Sequence, residues 1–110
     1  MAGLVKHAGI KIVLGGDEYI VPPIAIGALE QLQDRITQYT GNPMGSGQAG
    51  TVIDCAHAAL KRNYPDLTRE AVADMIDVGN MAEVFEAVMD VSGVRRKAKE
   101  GESGEAPARK

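Results

Sequence analysis

Aromatic residues are scarce in this sequence, which has three Tyr, one Phe and no Trp in 110 positions. A hydrophobic core built from this chain therefore depends on Val, Ile, Leu, Met and Ala, a set that suits helices packed through small residues. The overall proportions, 45% hydrophobic and 25% charged, are ordinary for one globular domain.

Cysteine is almost absent too, and long apolar runs are missing. The single cysteine, Cys55, excludes an internal disulfide, and residues 1–8 lack the apolar run of a signal peptide. The longest apolar stretch, Tyr19–Ala28, is broken by Pro22 and Pro23 and is too short to cross a bilayer. We therefore expect a protein of the reducing cytoplasm that does not contact membranes.

Residues that could carry chemistry are few. Cys55 and His57 lie two positions apart in a predicted helix and point in different directions, and a zinc site needs about four ligands. The turn Gly15–Asp17 and the Gly-rich segment 41–50 both lack the lysine of a phosphate-binding P-loop. We therefore predict no catalytic residue, no metal site and no cofactor, and hence that the chain is not an enzyme.

Charge is distributed unevenly along the chain. Residues 1–94 carry six Lys/Arg and twelve Asp/Glu, whereas residues 95–110 carry six Lys/Arg and three Glu. A domain that binds nucleic acid is expected to have a basic folded face, and this body is acidic. The distribution therefore argues against nucleic acid as a partner.

The hydrophobic pattern predicts a mainly α fold with a small β component. Two β-branched runs, Ile10–Leu14 and Glu18–Val21, flank Gly15–Asp17, which predicts a β-hairpin with Ile10, Ile12 and Leu14 on one face. About four helices should follow. The first carries its apolar face from Ile24 to Tyr39, and the second runs from near Val52 to about Asn63.

The last two helices have capping signals. Thr68 is placed as the N-cap of a short helix ending near Asp77, with Leu67 and Val72 spaced for a hydrophobic staple. Asn80 and Glu83 have the spacing of a capping box for the helix that ends at Ser92. Together these features predict a flexible N-terminus at 1–9, one helical domain at 10–93 and a disordered basic tail at 94–110.

The segment 66–90 contains seven acidic residues and one base. Their alternation with apolar positions fits a solvated helix face, and it equally fits a docking face for a basic partner. Met75, Met81 and Met89 are either core residues or part of an adaptable apolar surface. The candidate partner-binding residues are Asp66, Glu70, Asp74, Asp77, Met81, Glu83, Glu86 and Asp90.

Four segments carry a family resemblance. They are YIVPPIAIGAL at 19–29, NYPDLTRE at 63–70, AVADMID at 71–77 and GNMAEVFEAVM at 79–89. In these segments the chain resembles the small tail assembly chaperones of long-tailed bacteriophages and prophages. The resemblance spans most of residues 10–93 and lies in short structural motifs, with no catalytic signature.

The resemblance implies a non-enzymatic role in tail assembly. Such a chaperone binds the long helical tape-measure protein and keeps it soluble in the host cytoplasm while tail-tube subunits polymerise, and it is absent from the mature virion. The family also implies a longer, frameshifted product that recruits the tail-tube protein. In addition, the exposed hairpin edges suggest homo-oligomers formed by strand pairing.

Two other functions compete with this one. A structural protein of the tail or of the head–tail junction usually contains more β-structure than one hairpin supplies, and it would persist in purified virions. A small regulatory protein of the antitoxin type would need a basic DNA-reading helix, which the predicted folded body lacks.

Overall fold

The computed structural model describes residues 7–94. It contains a β-hairpin of β1 (Ile10–Leu14) and β2 (Asp17–Val21), followed by α1 (Ile26–Thr37), α2 (Gln48–Leu60), α3 (Arg69–Met75) and α4 (Met81–Ser92). The expected order of a hairpin and four helices is confirmed. The predicted basic tail lies outside the described residues, except for Val94.

The hairpin pairs β1 and β2 antiparallel from Ile10 opposite Val21 to Leu14 opposite Asp17. Gly15 and Gly16 form the turn with φ values of 60° and 87°, a region that other residues rarely adopt. The three residues expected on one face differ in burial, since Ile10 is 38% exposed whereas Leu14 is only 2% exposed. Burial therefore increases along β1 toward the turn, where the hairpin packs against α4.

Helix α1 begins two residues later than its apolar pattern suggests. Ile24 is buried in an extended segment ahead of the helix, where its N–H donates to Ser92 Oγ at the end of α4 (2.9 Å). Ile26, the first helical residue, is 79% exposed. The inner face of α1 is instead formed by Leu32, with half-buried Leu29 and Ile36 beside it.

Helix α2 is the central element of the fold. It contacts α1, α3, α4 and β2, and its inner residues Val52, Cys55 and Ala59 are fully buried. It also starts earlier than Val52, because Gln48 belongs to its first turn. The Gln48 side chain accepts from the N–H of Thr40 (2.7 Å), which ties the Gly-rich connection to the start of the helix.

Helix α3 is capped as predicted and α4 is not. The Thr68 hydroxyl accepts from the N–H of Ala71 at 3.0 Å, a standard N-cap bond. The capping box at the start of α4 is wrong: Asn80 has helical dihedral angles and its side chain accepts instead from the N–H of Asp77 (2.8 Å). In return the Asp77 carboxylate accepts from the N–H of Asn80 (2.8 Å), so the two side chains close the turn between the helices.

Asn63, just after α2, joins the start of the described chain to the hairpin. It is 4% exposed, accepts from the N–H of His7 (2.8 Å) and donates to the carbonyls of His7 (2.9 Å) and Ile20 (3.2 Å). His7 falls within the segment 1–9 that was expected to be flexible, and residues 1–6 of that segment lie outside the described chain. Within residues 7–94, no helix is long and apolar enough to span a membrane.

Candidate partner-binding surface

Three acidic side chains follow the outer face of α4. Glu83, Glu86 and Asp90 are spaced three and four residues apart, and all three are exposed. At about 100° per residue they occupy one sector of the helix, opposite the buried stripe of Met81, Val84, Phe85, Val88 and Met89. Helix α4 therefore presents a continuous negative stripe on its exposed side.

Helix α3 presents a second acidic face. Glu70 and Asp74 are one helical turn apart and exposed, whereas Val72 on the inner side is fully buried. The remaining two predicted acids, Asp66 and Asp77, are exposed in the connections before and after α3. The structure thus places all seven predicted acids on the surface, with Asp77 also holding the turn to Asn80.

Met81, the one apolar residue among the predicted contacts, does not belong to this surface. Its side chain is only 5% exposed and joins the core cluster. Met89 is buried as well, and Met75 packs partly against the same core, so the three methionines of segment 66–90 serve the core. The exposed apolar residue of this region is Val78, which is 75% exposed in the connection between α3 and α4.

An ion-pair triad fixes α3 relative to α1 and α2. The Asp54 carboxylate on α2 binds Arg35 of α1 (2.9 Å) and Arg69 of α3 (2.5 Å). Burial by itself would raise the pKa of Asp54, but the hydrogen bonds and positive charges of the two arginines outweigh it and hold that pKa below its usual value. Sequence reasoning missed this triad, because its three members are far apart in the chain.

A polar groove of about 340 Å³ lies between α1 and α2, beside the triad. Asp54 and His57 line it from α2, Lys61 lines it from the position just after α2, and Arg35 lines it from α1. His57 Nε2 forms a hydrogen bond with the carbonyl oxygen of Leu67 at 3.0 Å. This bond attaches the residue just before the Thr68 cap of α3 to α2. Asp54, His57 and Lys61 are spaced three and four residues apart, so the sequence could have predicted that they share one helix face. The presence of Arg35 beside them could not be predicted in this way, because it depends on how α1 packs against α2.

A second groove, of about 290 Å³, separates β1 from the first turn of α4. Its apolar lining comes from Ile12, Val13 and Leu14 on β1 and from Val84 on α4. Glu83, Asn80 and Lys11 add polar groups at this site. Glu83 therefore belongs both to the acidic stripe of α4 and to this groove.

Cys55 and His57 do not form a reactive pair. The Cys55 side chain is fully buried, and burial raises the pKa of its thiol from 9.0 to about 11, which keeps it protonated at neutral pH. His57 is bonded to Leu67, as described above. Among residues 7–94, no group of three or more His, Cys, Asp or Glu is arranged to hold a metal ion.

Comparison of this chain with family models, curated proteins and solved structures finds no match.

Proposed function

We propose that this chain is a tail assembly chaperone of a long-tailed bacteriophage or prophage. In this role it binds the tape-measure protein in the host cytoplasm and keeps it soluble while the tail tube is assembled. The observation that carries the proposal is the exposure of all seven acids of segment 66–90, five of them as stripes on α3 and α4. The sequence resemblance at 19–29 and 63–89 supports the same role.

The chemistry of this surface fits a helical partner with basic residues beside an apolar stripe. The acidic stripes of α3 and α4 would attract the basic residues, which favours fast and selective association. Val78, exposed between the two helices, would contact the apolar stripe. A tape-measure protein that has not yet been enclosed by its tube exposes such apolar helical stripes and needs them covered.

The anchoring of α3 makes this surface suited to binding. A helix of seven residues is marginal on its own, and here the Thr68 cap and the pair between Arg69 and Asp54 hold it against α2. Glu70 and Asp74 are thus presented by a helix that is already ordered. Because less ordering is required on binding, more of the interaction free energy is available for affinity.

Co-expression tests the proposal directly. The proposal requires a very long helical protein to be encoded in a neighbouring reading frame. That protein is co-expressed, and the readout is its soluble fraction with and without this chain. We expect the soluble fraction to rise several-fold and the two proteins to co-purify. If the long protein is equally soluble alone, the chaperone function is excluded.

A charge-reversal pair tests the binding surface. Glu70→Lys with Asp74→Lys should abolish co-purification, because it reverses the acidic face of α3. Glu30→Lys with Asp34→Lys is the matched control, since these two acids are also exposed and one turn apart, on α1. Equal loss in both variants would show that total charge matters and that the α3 face has no special role.

Two further measurements separate this function from a structural role in the tail. Mass spectrometry of purified virions should not detect the chain, whereas a tail or head–tail completion protein would persist there. An antibody against the folded body should detect a second, longer product, since we propose that a frameshifted form recruits the tail-tube protein. Detection of a single length would refute that part of the proposal.

A further inference from the structure

On β2, the outward backbone groups of Ile20 are bonded to the rest of the fold. The N–H of Ile20 donates to the Tyr64 hydroxyl (2.8 Å), and the Ile20 carbonyl accepts from Asn63 Nδ2 (3.2 Å). Both backbone groups of Ile20 therefore point away from β1. In an antiparallel pair this happens only at non-hydrogen-bonded positions, which alternate with hydrogen-bonded ones.

The same alternation determines which groups β1 presents at its own edge. Lys11 lies opposite Ile20 and Val13 opposite Glu18, so the N–H and C=O of Lys11 and Val13 point away from β2. Among residues 7–94, no hydrogen bond satisfies these four groups. The side chains of Ile10 and Val13 are also 38% and 62% exposed, so β1 combines an open backbone edge with exposed apolar residues.

We propose that β1 pairs antiparallel with β1 of a second copy of this chain, forming a four-stranded sheet across a two-fold axis. The register places Lys11 opposite Val13 of the other copy and Ile12 opposite its own counterpart. It is the register that pairs all five residues of β1 and satisfies every outward backbone group. It also avoids setting the two Lys11 side chains directly opposite each other, which would be repulsive.

The groove between β1 and α4 supports a second copy as the occupant. Ile10, Ile12 and Leu14 share the inner face of the strand, so this register brings Ile10 of the second copy beside Leu14. There its side chain enters the groove of about 290 Å³ lined by Leu14 and Val84. The pairing thus buries a side chain that a single copy leaves partly exposed.

Val13→Pro tests the open edge. Proline removes an N–H that the hairpin itself does not use, so the hairpin is retained while the interchain hydrogen bond is lost in both copies. In sedimentation velocity we expect a dimer for the full-length chain and at least a tenfold weaker dimer for the variant. Glu18→Pro makes the same change on β2, at the hairpin edge opposite the proposed interface, and should leave the dimer intact.

Engineered cysteines test the register. Opposed Ile12 residues would have Cα atoms about 4.5 Å apart, within disulfide range, whereas the two Lys11 Cα atoms would be more than about 7 Å apart. Ile12→Cys should therefore cross-link under mild oxidation much faster than Lys11→Cys, and buried Cys55 should not take part. A chain that remains monomeric at millimolar concentration, or faster cross-linking at position 11, would overturn the proposal.

The dimer and the chaperone function can fail separately. The charge reversal at Glu70 and Asp74 changes α3 only and should leave the dimer unchanged.

Circular dichroism of Val13→Pro should match the wild type. If this variant is folded and dimerises with an unchanged dissociation constant, the strand pairing is refuted. If the full-length chain is monomeric and a strand from the long helical protein protects β1 in hydrogen exchange, the edge belongs to that partner and our proposal is wrong.

Discussion

The hydroxyl of Tyr64 lies 2.8 Å from the backbone nitrogen of Ile20 and accepts its hydrogen bond. The two residues are 44 positions apart, and the bond attaches the outer edge of β2 to the connection after α2. The ring of Tyr64 also packs edge-on against Tyr19, with 5.2 Å between centroids. The hairpin is therefore held to the helices through polar and aromatic contacts together.

Tyr64→Phe should destabilise the fold by about 1–2 kcal/mol, because it leaves the N–H of Ile20 without a partner and keeps the ring. Tyr39→Phe is the matched control. The Tyr39 hydroxyl is buried and has no hydrogen-bond partner among the described residues, so its removal should be neutral or slightly stabilising. Urea unfolding of the two variants measures the difference, and equal destabilisation would show that the bond to Ile20 contributes nothing.

Gly9 should tolerate no side chain. A Cβ at this position would lie 1.9 Å from the carbonyl oxygen of Val21, where the chain enters β1. Gly9→Ala is therefore expected to cost more than about 2 kcal/mol, since backbone must move. Gly27→Ala should instead stabilise by up to about 1 kcal/mol, because position 27 lies in the first turn of α1 with open space around it. Thermal unfolding of both variants provides the comparison.

The local parts of the fold follow from local patterns in the sequence. Gly15 and Gly16 between two β-branched runs predict the hairpin, and Thr68 predicts the start of α3, because each depends on residues within one turn. The exposure of the seven acids in 66–90 follows from their alternation with apolar positions. What these acids bind cannot be obtained from periodicity, which reports only that they avoid the core.

The contacts that hold the elements together could not be predicted from local sequence patterns, because they join residues that are far apart in the chain. Asn63 bonds to His7 across 56 positions, and Arg35 meets Asp54 only because α1 packs on α2. Met81 shows the opposite error, since it was grouped with the surface acids by position and is buried in the core. The capping box at Asn80 failed because Asn80 adopts helical dihedral angles and bonds reciprocally with Asp77 instead of with Glu83.

The triad of Asp54 should give a stability contribution that depends on pH. The folded pKa of Asp54 is lowered, so its contribution is present above the unfolded pKa of about 3.8 and is lost as the pH falls through the folded value. Asp54→Asn should therefore lower the urea midpoint at pH 7 and have a smaller effect at a pH below 3.8. Asp34→Asn, an exposed acid on α1, is the control. An effect of Asp54→Asn that is the same at both pH values would contradict the ion-pair account.

Cys55 should limit stability in alkaline solution. Burial raises the pKa of its thiol from 9.0 to about 11, so the unfolded chain loses this proton at lower pH than the folded chain. Below pH 9 the protonated thiol therefore contributes its full stabilisation of the folded state. This contribution to the free energy of unfolding decreases by roughly 2–3 kcal/mol in total as the pH rises from 9 to 11. Because lysine and tyrosine titrate in the same window, the measurement is the difference in unfolding free energy between the wild type and Cys55→Ala. The wild type should lose stability relative to Cys55→Ala across that window, and a difference that stays constant from pH 8 to 11 would show that the thiol titrates equally in both states.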